Sequence, residues 1–101
     1  MGKLGILVNS DRHGRQVLEL TRAARSLGHN ITIFVMDAGT RLLRDPAFVE
    51  LSGIEGVNLS ICHHSADNYK VETAGLPPAI TCGTQLNNAM MQRAADRVIV
   101  L

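Results

Sequence analysis

Ile31-Thr32-Ile33-Phe34-Val35-Met36 decides the fold: six apolar or β-branched residues in a row, preceded by Asn30 and followed by Asp37-Ala38-Gly39. Such side chains pack well on a pleated surface, and a run this short between turn residues reads as a buried strand. Working backwards, Gly28 stops a stretch from about Gly14 to Leu27 in which Val17, Leu20, Thr21, Ala24 and Leu27 recur at helical spacing. Before it, Lys3 to Val8 reads as a second buried strand, and Asn9-Ser10-Asp11 supplies residues suited to capping a helix. Strand, helix and strand in this order make a βαβ unit.

Working forwards, a helical piece around Thr40 to Arg44 ends before Asp45-Pro46, and Pro46 is placed to open a second short helix through Leu51. Gly53 and Gly56 bracket the turn into a third strand, Val57 to Ile61. His63 to Ala74 has room for a short helix, and Leu76-Pro77-Pro78 forces an extended connection. Ala79-Ile80-Thr81 predicts a brief strand ending at Cys82-Gly83. Thr84 caps a helix over Gln85 to Ala95 with the apolar stripe Leu86, Ala89, Met90 and Ala94, and Arg97 to Leu101 closes the sheet. Five strands alternating with helices predict an α/β fold, a three-layer α/β/α sandwich on a mainly parallel five-stranded sheet.

A chain of 101 residues makes one domain, 1–101, with no room for a second core. Aromatics are 3% of it, so the core is built from aliphatic side chains, as suits a parallel sheet covered on both faces. The net charge of +1 supplies no field to hold nucleic acid. No stretch approaches the roughly 18 apolar residues of a membrane span, and no secretion signal opens the chain. A cytoplasmic protein is expected, in which two cysteines are free thiols, metal ligands or redox groups rather than a disulfide framework.

Cys62 stands where the third strand runs out and the polar stretch His63-His64-Ser65-Ala66-Asp67 begins. In an open α/β sheet that strand end presents reactive groups to solvent and to backbone N–H donors, so a thiol there suggests sulfur chemistry. The plain alternative is a buried cysteine acting as a small hydrophobe. Sulfur transfer needs the thiolate, which the N–H groups of a following helix, or a protonated His63 or His64, would favour. The two histidines are otherwise a solvated loop. Consecutive parallel strands are usually neighbours, which puts Cys82 beside Cys62, within disulfide or metal-sharing reach. Cys82 is then a buried strand-end residue, a resolving thiol or a second sulfur acceptor.

Zinc is the competing chemistry for Cys62, His63, His64 and Cys82, but Cys82 has no companion ligand nearby, so no metal is expected. The loop Asn9 to Arg15 lies where flavodoxin-like proteins hold phosphate, and Arg12, His13 and Arg15 are candidate anion contacts. It carries neither nucleotide-binding glycine pattern, so no cofactor is expected.

The short first strand, the helix Arg15 to Leu27, Cys62 after the third strand and the ending Ala95-Asp96-Arg97-Val98-Ile99-Val100-Leu101 together resemble the DsrE/DsrF-like family, which includes TusD-type sulfur-relay subunits. The resemblance implies a cysteine at the third strand's end, here Cys62, that accepts a sulfane sulfur as a persulfide and passes it to a partner, a sulfurtransferase-like role. It also implies sulfur donor and acceptor proteins as partners and a homo-oligomer, trimeric or hexameric. Some relatives lack a working cysteine and serve as assembly subunits, which is the second reading of this chain.

Overall fold

The computed structural model describes residues 2–101. In chain order its strands are β1 (Lys3–Val8), β2 (Asn30–Val35), β3 (Val57–Cys62), β4 (Thr81–Gly83) and β5 (Arg97–Val100). Its α-helices are α1 (Gly14–Ser26), α2 (Pro46–Val49), α3 (His63–Asn68) and α4 (Gln85–Ala94), with 3₁₀ turns at Asp37–Arg44 and Glu50–Gly53. The strands form one sheet in the order β4-β3-β2-β1-β5, parallel at every pairing. Steps from β1 to β4 all move one way along this sheet, so right-handed crossovers stack α1 to α3 on one face. The step from β4 back to β5 reverses direction and puts α4 on the other. No helix among the described residues is long and apolar enough to cross a membrane.

Partners in register point the same way. Ile6 and Val8, Ile31, Ile33 and Val35, and Val57, Leu59 and Ile61 therefore share one face. All eight are buried, against Val17 and Ala24 of α1 and against Leu43, Phe48, Leu51 and Ala66. Each fully buried side chain of this size contributes about 1.5–3 kcal/mol, so this layer holds most of the stabilising surface. Local signals agree with it. The Asp45 carboxylate accepts from the Ala47 N–H at 3.0 Å with Pro46 opening α2, and Gly28, at φ +85°, takes the left-handed turn that ends α1.

The opposite face is thinner. Leu7, Phe34, Cys62 and Val98 meet a single helix there, through Met91 of α4. The sequence pattern predicts Leu86 and Met90 inward, yet they are 66% and 60% exposed, and Met91 is the buried residue of the helix. Packing overrides periodicity: a Cβ on Gly5 would lie 3.1 Å from Met91 Cγ and 3.2 Å from Ala95 Cβ, so glycine in β1 admits this edge of α4 against the sheet. One boundary also moves. Strand β4 ends at Gly83 as expected but begins at Thr81 rather than Ala79, because its position follows pairing of Ser60–Cys62 with Thr81–Gly83. Helix α3 is the short helix expected within His63 to Ala74; it runs from His63 to Asn68, after which the chain turns through Lys70 at φ +55°.

Candidate functional site

Cys62 is both the last residue of β3 and the N-cap of α3, so its thiol sits at the carboxyl rim of the sheet. The expectation of a thiol standing in open solvent is not met: the residue is 4% exposed. On its apolar side lie Phe34 and Met91, with Leu7, Met36 and Val98 packed against them. On its polar side it makes no conventional cap bond. Instead the larger sulfur is approached by the Ser65 hydroxyl and N–H, the Gln85 side-chain amide and the His64 N–H. His64 and Gln85 are themselves exposed, so on this side the sulfur lies one side chain away from water. Burial pushes the thiol pKa up, but the donors together pull it further down, and the thiol ends below its ordinary value.

The two histidines do not bring their rings to the sulfur as imidazolium partners. The ring of His63 faces along its own helix, with Nε2 3.4 Å from Asp67 Oδ2. His64 contributes its main chain. Ser65 and Gln85 are the donors that the sequence did not single out. Serine and glutamine carry no distinctive pattern, and Gln85 reaches the site only because β4 pairs with β3. The signal was the alignment of Gly83 with Cys62, which sets the start of α4 beside the thiol.

Cys82 is brought close in the backbone and separated in the side chain. It aligns with Ile61, not with Cys62, and so points to the other face of the sheet, where it is exposed. Adjacent strands were foreseen, but a one-residue offset removes the shared disulfide or metal geometry. Among the described residues no group of three His, Cys, Asp or Glu side chains is placed to hold a metal ion.

The first loop borders an open depression of about 510 Å³, lined by Arg12, His13 and Arg41 among others, and several of its groups are engaged by their own neighbours. Arg15 Nε lies 3.1 Å from Glu19 Oε1, the Arg12 N–H donates to Ser10 Oγ at 3.0 Å, and His13 Nδ1 is 3.4 Å from the Leu101 carbonyl. Asp11 faces Arg41 at 3.5 Å, and Arg41 stacks over Tyr69 at 5.0 Å.

On the same face as the thiol, but nearer the amino ends of the strands, the sheet is open between α4 and the β3–β4 edge. Two adjoining depressions of about 330 and 300 Å³ share Thr32, Asn58, Met91 and Ala94. Their floor is polar, from Asn30 to Ser60 and Thr81, and Ser60 lies two residues before Cys62 on the same side of β3.

The crystal structure of the YchN protein from E. coli superposes on this chain with a TM-score of 0.81, covering 100% of both chains at 21% sequence identity. That likeness establishes the fold. No curated protein sequence matches the chain. The family model described as the DsrE/DsrF-like family matches residues 2–101. On that match the chain belongs to the DsrE/DsrF-like family, whose members generally act in sulfur relay alongside sulfur-transfer partners.

Proposed function

We infer that Cys62 is the sulfur-accepting thiol of a persulfide relay. One observation carries this reading: the thiol is held below its ordinary pKa by donors converging from α3 and α4, even though burial opposes it. These donors favour the thiolate, and a nucleophile must be deprotonated near neutral pH. In the first step the Cys62 thiolate attacks the outer sulfur of a donor persulfide, R–S–SH. The donor's S–S bond breaks, R–S⁻ leaves, and Cys62–S–SH forms. In the second step an acceptor thiolate attacks that outer sulfur and Cys62 departs as the thiolate. Both steps balance without an external oxidant or reductant.

Near-complete burial of Cys62 favours a second reading, a non-catalytic assembly subunit in which the cysteine packs the thin face of the sheet. Mass spectrometry after exposure to a low-molecular-weight persulfide separates the two. The relay predicts a gain of about 32 Da per sulfur, abolished by Cys62→Ser and retained in Cys82→Ser. Retention in Cys62→Ser removes the residue assignment, and no gain in the unaltered chain leaves the assembly role.

Either reading includes self-association. Leu86 and Met90, 66% and 60% exposed, form an outward apolar pair one helical turn apart on α4, and Val100 of β5 is 56% exposed. A trimer or hexamer burying this surface is expected in light scattering.

A further inference from the structure

Three side chains on α4 form a ladder of carboxamides that ends at the Met36 thioether, next to the thiol. Gln92 Nε2 donates to Asn88 Oδ1 at 3.2 Å, and Asn88 Nδ2 donates to Gln85 Oε1 at 3.2 Å. With its oxygen engaged, Gln85 has only its NH₂ group left for the interior. That group lies 3.7 Å from Met36 Sδ, in the cluster that contains Cys62, and the same side chain contacts the Cys62 sulfur. An amide turned the other way would set its carbonyl oxygen against two sulfur atoms and two Asn88 hydrogens against its own NH₂. The two sulfur acceptors thus set the orientation, and the ladder is the hydrogen-bond arrangement that fits it.

We propose that Gln85 is a catalytic residue of the Cys62 relay, donating an N–H to the reacting sulfur, and that Asn88 is the positioning residue that keeps Gln85 turned towards it. The assignment rests on the relay reading for its chemistry, though the contact does not. The donor acts in both halves of the transfer. Before loading, it favours the thiolate that attacks. During release, charge returns to the same sulfur as the S–S bond breaks, and a stabilised thiolate is the better leaving group. Neither carboxamide titrates, so the donation itself does not depend on pH.

The test is titration of Cys62 by the ultraviolet absorbance that a thiolate has and a thiol lacks, in chains carrying Cys82→Ser so that one thiol reports. Gln85→Leu should move the midpoint up by about one pH unit, a roughly tenfold loss of thiolate near neutrality. Gln85→Glu keeps the size but puts a negative charge beside the sulfur and should move it further. Its thermal midpoint should hold or rise, because an acidic group in the first turn suits the helix dipole. Asn88→Ala should give a smaller change in the same direction, about threefold in thiolate fraction. An unchanged midpoint in both Gln85 variants overturns the proposal, as does an unchanged midpoint in Asn88→Ala for its positioning part. Sulfur loading is measured on the same proteins. A chain that never loads but whose midpoint moves refutes the relay and retains the contact. A chain that loads while Gln85→Leu changes neither midpoint nor release rate refutes Gln85 alone.

Discussion

The two faces of the sheet are built differently. Under α1 to α3 the strands present an unbroken field of Ile, Val and Leu, sealed by Phe48, Leu51 and Ala66. Under α4 they present Asn30, Thr32, Asn58 and Ser60, and a single methionine side chain bridges helix and sheet. A parallel sheet usually has both faces fully covered, and here one is sealed by α1 to α3 while the other carries α4 alone. The closed face supplies stability, and the open one is left free to hold a thiol among polar donors. Division of this kind lets the chemistry vary without endangering the core.

Side-chain truncation should break the comparison most sharply. Phe48→Ala on the closed face should cost about 3–5 kcal/mol in urea unfolding, since a fully buried aromatic leaves a cavity the aliphatic layer cannot refill. Met91→Ala on the open face should cost less, about 2 kcal/mol, because its cavity adjoins depressions open to the surface. Equal costs would mean that the faces are energetically alike.

Introducing charge on the outer side of α4 sharpens it next. Leu86→Glu with Met90→Glu should shift light scattering to the monomer while changing the unfolding free energy of the monomer by only about 0.5 kcal/mol. Unchanged assembly would place the subunit contact elsewhere.

The smallest effect is a pH dependence confined to the open face. The folded chain holds the Cys62 thiol below its unfolded value, so it releases the proton first. The resulting stabilisation is complete above the unfolded thiol's pKa, about 8.5, and is lost as pH falls through the folded one. Unfolding measured across that window should therefore show stability rising with pH more steeply than in Cys62→Ser. Parallel curves would remove the hydrogen-bonded thiolate.

What was legible in the sequence follows the same division. Strands β1, β2 and β3 and helix α1 announce themselves because their residues are selected by burial in the closed layer, where pattern and packing coincide. Strand β4 is short, polar and at the sheet edge, so its limits are set by its neighbour and not by its own residues. Helix α4 was found by its Thr84 cap, but its inward side was misjudged. Glycine at position 5 and Val98 choose Met91, and neither lies within the helix. Cys62 was singled out from its place at a strand end. Its partners were not, since Ser65 acts through geometry within one turn and Gln85 through strand pairing far along the chain.

One-residue stagger between neighbouring strands has a further consequence. A persulfide standing beside another thiol of its own chain collapses to a disulfide and loses its cargo as sulfide. With Cys82 turned to the far side of the sheet, a sulfur atom carried at Cys62 would meet no such internal thief, and its discharge would wait for a thiol brought from outside.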